Sequence, residues 1–265
     1  MTVKLPISVF IIAKNEADRI AYTIRSVRDW VDEVIVIDSG SEDDTVKVAE
    51  SLGARVVFNP WTGYGPQKVF GEKLCRNDWL FNLDADEEVS EELAEEIRRE
   101  FTGTPQHSAY SVSFYPIYAF QKAVSRLLVH KRTPRLYRLD SAGFKNHPVH
   151  DSLVVRQGTV GKLKGQILHR SLRSVGHHVE KINSYSDMQA EQLFNDGKKA
   201  NPIVLLLIFP LAFIKCYLLR RQFLNGIDGV SASLIYALHR YIRLAKLREL
   251  HIRSGFATDD KSNDS

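Results

Sequence analysis

Four carboxylates close the run Trp79-Leu80-Phe81-Asn82-Leu83-Asp84-Ala85-Asp86-Glu87-Glu88. Its apolar half predicts a core strand from Trp79 to Asp84, and a carboxylate buried without a partner is very costly. The strand is therefore expected to stop at Asp84 with the acids at its C-terminal end, where open α/β sheets bind ligands. In extended chain Asp84 and Asp86 point the same way. A pair of hard oxygen ligands so placed suits Mg²⁺ or Mn²⁺ held against a diphosphate. The same letters also read as an acidic helix start, and Glu91 and Glu92 fit that reading. Glu87 and Glu88 either close the site or begin that helix.

The elements that would position these acids follow from periodicity. Ile7–Ala13 is nearly all apolar, as expected of a strand covered on both faces. Ile20, Ile24 and Val27 then fall at helical spacing. Glu33–Asp38 is a second strand ending in an acid, and Arg55–Phe58 is a third. Between them Ser41 and Asp44 have the spacing of a helix-capping pair. Alternation of this kind predicts a parallel, doubly wound sheet with right-handed crossovers. A loop over Asn59–Pro66 leads into a helix from about Gln67 to Arg76. Three strands thus finish beside polar groups: Lys14/Asn15/Glu16, Asp38/Ser39 and Asp84/Asp86. Further on, Ala109–Tyr115, Pro134–Leu139 and Gly165–His169 read as strands, Tyr118–Leu128 is ambiguous, and Gly143–Asp151 reads as a polar loop.

The 265-residue chain, 44% apolar and 26% charged, is ordinary for a globular protein with a core. Charge is uneven: Lys198, Lys199, Lys215, Arg220, Arg221, Arg240, Arg243, Lys246, Arg248 and Arg253 face only Asp228 and Glu249 in their segment. Within it, Pro202–Leu219 is strongly apolar, at the short edge for a spanning helix of ~20 residues. A basic, apolar appendage points to an anionic membrane surface. The alternative is a helix pair buried on the catalytic domain or on a second subunit of a homo-oligomer. No aromatic-and-basic platform for nucleic acid is present. Cys75 and Cys216 have no ligand spacing and read as buried thiols of a reducing compartment. The start enters a strand at once, so the chain is expected to stay on the cytoplasmic side. The domain reading is an α/β domain over 1–175, a helical appendage over 176–255 and a disordered polar tail over 256–265.

Ser8–Glu16, Val36–Thr45 and Asn82–Glu87, in that order, resemble the family 2 glycosyltransferases, inverting enzymes of the GT-A fold that use nucleotide sugars. The resemblance covers roughly Leu5 to Arg170. It implies an α/β fold with a mainly parallel Rossmann-like sheet, helices on both faces, and a UDP-sugar donor. Asp38-Ser39-Gly40-Ser41 stands where many relatives have Asp-Asp-Gly-Ser, and the Gln-x-x-Arg-Trp motif of processive synthases is absent. Asp-Ser-Gly-Ser, the Trp79–Glu87 element and Val149-His150-Asp151 are most similar to a subgroup that adds β-linked glucose to a heptose of the lipopolysaccharide inner core. That subgroup usually has Val-His-Glu, so the carboxylate here is one carbon shorter.

Inverting transfer is an in-line displacement that needs a general base for the acceptor hydroxyl and charge stabilisation for the leaving diphosphate. By resemblance, Asp86, with Asp84 nearby and His169 as a further ligand, holds the metal. Asp38 and the Ala13–Glu16 turn, including Asn15, meet the uracil and ribose. Asp84 faces the ribose or the metal, and Lys68 and Arg135 meet the diphosphate or sugar, unless they are simply solvated charges. Asp151 is the expected base, with His150 its rival because an imidazole titrates near neutrality. His147, His177 and His178 receive no role. The implied acceptor is a glycolipid at the cytoplasmic face of the bacterial inner membrane, with the protein peripheral. Two other classes compete: a nucleotidyltransferase that makes a nucleotide sugar, and a non-catalytic nucleotide-binding membrane adaptor. The first would want a Gly-rich loop after the first strand, and Ala13-Lys-Asn-Glu-Ala has none.

Overall fold

The computed structural model describes residues 4–118, 132–147 and 152–262. The chain divides into two compact units, Met1–Ile117 with His130–Ser171, and Tyr118–Val129 with Leu172–Ser265.

In the first unit β1 (Leu5–Ala13), β2 (Val31–Asp38), β3 (Arg55–Phe58) and β4 (Trp79–Asp84) are joined by α1 (Ile20–Val27), α2 (Thr45–Ser51) and α3 (Tyr64–Leu74). Next come β5 (Glu87–Val89), α4 (Glu91–Glu100), β6 (Ala109–Tyr118), β7 (Arg132–Arg138), β8 (Ala142–Phe144), β9 (Leu153–Val155) and β10 (Val160–Leu172). One sheet runs β3-β2-β1-β4-β7-β6-β10-β5, and β8 pairs with β9 separately. β1 to β4 pair in parallel, while β7 joins β4, and β5 joins β10, antiparallel.

The apolar run of β1 serves two cores because successive side chains leave opposite faces of the strand. Ile7, Val9, Ile11 and Ala13 pack with α1 and α4, while Phe10 and Ile12 pack with Leu80, Tyr137 and α3. Each fully buried side chain of this kind contributes roughly 1.5–3 kcal/mol. α4 shows why the helices start where they do. Ser90 caps it by accepting from Leu93 N at 3.2 Å, Glu91 and Glu92 occupy the first turn, and Arg98 and Arg99 the last. Those charges complement the helix dipole.

Several expectations need correction. Ser41 does not cap α2: its Oγ donates to Asp38 Oδ1, and Asp43 instead accepts from Thr45 N at 3.0 Å. Glu87 and Glu88 start no helix; they lie in β5, which pairs with β10. β10 runs for 13 residues where periodicity gave five, since two of its buried positions are Gly161 and Gly165, which send no hydrophobic signal. Gly143 and Phe144, read as loop, sit in β8, buried beneath α3.

In the second unit α5 (Val175–Asn195), α6 (Pro202–Ile214) and α7 (Gly226–Ser262) pack as helices, with α7 touching both others. Asn201 caps α6 by accepting from Ile203 N at 2.8 Å, and Pro202 takes the first helical position. Pro210 removes an internal donor, and a π-turn, Lys215–Leu219, follows. Only 11% of Pro202–Leu219 is buried. α7 continues to Ser262.

Candidate active site

The C-terminal ends of β1 and β2 are laced together by polar bonds. Asn15 sits in the left-handed region at φ 56°, a conformation that asparagine tolerates better than most residues. Its N–H donates to Ser41 Oγ at 2.9 Å, and its Oδ1 accepts from Glu42 N at 2.8 Å. Glu16 N donates to Thr45 Oγ1 at 2.7 Å, and Ser39 N to Ala13 O at 3.0 Å. Asp38 is buried and accepts from Gly40 N and Ser41 N at 2.8 and 3.0 Å. Ala13, Asn15, Glu16 and Asp38 therefore come together as one rigid rim, as their spacing at two neighbouring strand ends required.

A buried charge network lies at the end of β4. Lys68, on α3, is 1% exposed, with its Nζ 3.1 Å from Asp84 Oδ1 and 5.1 Å from the centre of the Phe144 ring. Arg135, on β7, reaches Asn82 Oδ1 at 2.6 Å, Asp84 Oδ2 at 3.4 Å and Glu87 Oε1 at 2.8 Å. Neither is a solvated surface charge. Burial alone would raise Asp84, but Lys68 and Arg135 outweigh it and hold this carboxyl well below the usual range. Glu87 behaves oppositely: burial, aided by the Asp84 charge and opposed by Arg135, pushes it up to about 7. Its Oε2 accepts from Asp84 N at 2.9 Å, so it holds the strand end in place.

Residues 85 and 86 form a turn rather than extended chain, so Asp84 and Asp86 engage different partners. Asp86 Oδ1 lies 3.3 Å from His169 Nε2, and its Oδ2 lies 3.5 Å from Arg19. Asp86 O also accepts from Arg170 N at 2.7 Å, which fastens the turn to β10. Burial works against both charges, yet the mutual bond keeps Asp86 lowered and His169 raised.

These residues fit a divalent cation. Asp84 Oδ1 is covered and, despite Lys68 beside it, has no aligned hydrogen bond among the described residues. The Asp86 carboxylate and the His169 imidazole, 3.3 Å apart, are the side chains that would hold it. No three His, Cys, Asp or Glu side chains group as an all-protein metal cage among the described residues. Mg²⁺ is ordinarily held by one or two carboxylates plus substrate phosphates, so two protein ligands suffice.

His150 and Asp151 lie outside the described residues. On the near side of that stretch His147 O accepts from Gly65 N at 3.2 Å, at the start of the helix that carries Lys68. Sequence reasoning missed Arg19, Arg170, Asn82 and the structural part of Glu87. Arg170 chelates Glu88 through Nε at 2.8 Å and lies 4.5 Å over Tyr22; Arg19 bonds Glu16 and Arg170 O. Only Asn82 carried a signal, as a polar residue inside an apolar strand.

A parallel β3-β2-β1-β4 core with acids at its C-terminal edge, extended by antiparallel strands, defines a GT-A type of nucleotide-sugar-binding fold. The glycosyl transferase family 2 profile matches residues 8–153, more than half of the chain. An uncharacterized glycosyltransferase of Rickettsia prowazekii is 42% identical over 94% of this chain and 88% of its own. The chain belongs to glycosyl transferase family 2 and is a glycosyltransferase, which bears out the resemblance. It is also similar to the lipopolysaccharide core biosynthesis glycosyltransferase LpsC of Rhizobium meliloti, at 28% identity over 95% of both chains. A crystal structure of glucosyl-3-phosphoglycerate synthase from Mycobacterium tuberculosis, with Mn²⁺, UDP and glucosyl-3-phosphoglycerate, aligns at 29% identity and a TM-score of 0.35. That alignment covers 42% of this chain and 44% of the other, less than half of either.

Proposed function

We propose that this glycosyltransferase moves a hexose, glucose, from a UDP-sugar with inversion onto a glycolipid, the heptose region of a lipopolysaccharide inner core. It works as a peripheral protein on the cytoplasmic face of the inner membrane. The observation that carries the donor assignment is the pair Lys68, buried, and Arg135, its side chain 13% exposed, flanking Asp84 at the sheet edge. Fixed cations in a water-poor site stabilise charge where it develops on a leaving diphosphate. Asp86 and His169, with Asp84 beside them, would hold Mg²⁺ or Mn²⁺, which supplies Lewis-acid neutralisation of that diphosphate. The Asn15–Asp38 rim receives uracil and ribose. Asp151 takes the proton of the acceptor hydroxyl, and His150 is the alternative base. End-to-end similarity to LpsC supports the lipopolysaccharide acceptor. The exposed apolar Pro202–Leu219 stretch, flanked by Lys198, Lys199, Arg220 and Arg221, supports the membrane assignment. Membership in a glycosyltransferase family favours this reading over a nucleotidyltransferase or an adaptor.

The test is turnover with UDP-glucose, divalent metal and truncated lipopolysaccharide, read as UDP release with a matching gain in acceptor mass. Asp86→Ala and Asp151→Asn are each expected to lower turnover at least ~10²-fold. Pyrophosphate-dependent exchange instead of transfer would overturn the reading. Full rates in Asp151→Asn with an inactive His150→Ala would move the base to His150.

A further inference from the structure

Arg19 breaks two local rules at once. It stands directly before α1, where Ser, Thr, Asp or Asn would cap the helix, and its side chain makes no capping bond. It also sets a cation at the positive end of the helix dipole. Yet the side chain is only 7% exposed, and a buried charge is tolerated only where it is paired. Local rules of this kind give way at functional sites, and the partners of this guanidinium lie in one.

Nε donates to Glu16 Oε2 at 2.8 Å, and Nη2 donates to the same oxygen, in the rim between β1 and α1. Nη1 donates to Arg170 O at 2.9 Å, next to His169 on β10, and lies 3.5 Å from Asp86 Oδ2. Arg170 N donates to Asp86 O at 2.7 Å, which closes a ring of contacts through Arg19, Arg170 and Asp86. With Oδ2 engaged by Arg19, Asp86 presents Oδ1 to His169 Nε2, 3.3 Å away. Glu16 is fixed from the other side, its N–H donating to Thr45 Oγ1 at 2.7 Å. One planar fork thus joins the rim, the acid and the strand that carries the histidine. A lysine ammonium, a point charge on a flexible stem, could not hold all three. Separately, Thr23 Oγ1 on α1 donates to Ala85 O at 2.9 Å and so holds the same turn by its backbone.

We propose that Arg19 is a positioning residue that couples nucleoside binding at the Asn15–Asp38 rim to divalent-metal binding at Asp86 and His169. Whichever ligand binds first orders its end of the fork, and the second then meets an ordered partner at a lower entropic cost. The coupling is reciprocal, each ligand tightening the other by the same factor. This role rests on the donor assignment, in which the rim receives the nucleoside and Asp86 the metal.

Mn²⁺ is titrated into the full chain, with the free ion read by electron paramagnetic resonance, alone, with excess uridine and with UDP. Uridine can fill the rim but has no phosphate with which to touch the metal, so any effect it has must pass through the protein. Wild type is expected to hold Mn²⁺ at least about fivefold more tightly with uridine than without, and still more tightly with UDP. Arg19→Lys keeps the charge and loses the fork. Its Mn²⁺ affinity should respond to uridine less than about twofold, yet still rise with UDP, whose phosphates meet the metal directly. Thr23→Val should lower Tm but keep the uridine effect, because it loses the bond to Ala85 and leaves the fork in place. A wild type that responds to UDP and not to uridine overturns the coupling and leaves the donor assignment standing; one that responds to neither overturns both. An undiminished uridine effect in Arg19→Lys, or an equal loss in Thr23→Val, also overturns the coupling. If Arg19→Lys does not fold, Glu16→Gln takes its place, a neutral partner that loosens the fork, with the same expected loss and the same overturning result.

Discussion

Lys68 and Asp84 illustrate how much of this site is stability withheld from ordinary packing. An ammonium 1% exposed is tolerable because it has partners, Asp84 Oδ1 at 3.1 Å among them. Breaking a buried pair costs about 3–5 kcal/mol, less where one partner is partly solvated. Asp84 is 32% exposed, so Lys68→Met is expected to cost roughly 2–3 kcal/mol in urea unfolding and to weaken UDP binding. Glu72 offers a pH test away from the site. It accepts from Tyr137 OH at 2.6 Å and from Phe144 N at 2.9 Å, and burial raises its carboxyl above the ordinary value. A raised folded-state value means that its contribution is complete below the unfolded pKa of ~4.3 and is lost as pH rises through the folded one. Glu72→Gln keeps the acceptor and removes the ionisation. The Tm of the variant relative to wild type should therefore be higher at pH 8 than at pH 4. An unchanged difference would show that Glu72 ionises without cost. Asp84, Asp86 and Lys68 were legible in the sequence as residues, but their pairing was not, since Arg135 and Arg19 reach them from 51 and 67 residues away (135 − 84 and 86 − 19).

At the scale of elements, β1 and β4 declared themselves by apolar runs that the core almost wholly covers, and α4 by its acidic first turn. β10 did not, because its inward positions must be small. A Cβ at Gly165 would stand 2.3 Å from Leu93 Cα, and one at Gly161 2.7 Å from Tyr110 Cδ1. Gly165→Ala should therefore force α4 from the strand, with an expected loss of roughly 1–3 kcal/mol and a lower Tm. The same strand carries His169 to Asp86, so donor binding should weaken along with stability. Gly65 is a second close approach, its virtual Cβ 2.4 Å from Lys145 O and His147 O. Gly65→Ala is expected to shift the residues leading into Val149-His150-Asp151 and to lower turnover more than it lowers Tm.

At the scale of the whole molecule, Leu206, Leu211, Leu218 and Leu219 are 77%, 59%, 52% and 71% exposed, an apolar surface that a soluble chain would ordinarily cover. Leu206→Lys with Leu218→Lys should move the protein from the membrane to the soluble fraction of a lysate and leave transfer to a water-soluble acceptor analogue intact. Retention of the double variant on membranes would place the attachment elsewhere. The sequence by itself determined the α/β class, the parallel βαβαβ start, the acids at the strand ends and the apolar, basic C-terminal segment. These are local properties, written in periodicity and composition. Only the tertiary structure decided that Asp84 and Asp86 part company across a turn, that Glu87 is a strand residue buried against Arg135, and that the Pro202–Leu219 stretch is left bare. Each of those depends on which distant segment arrives as a partner, and burial turns that arrival into a charge pair, a shifted carboxyl or an exposed face.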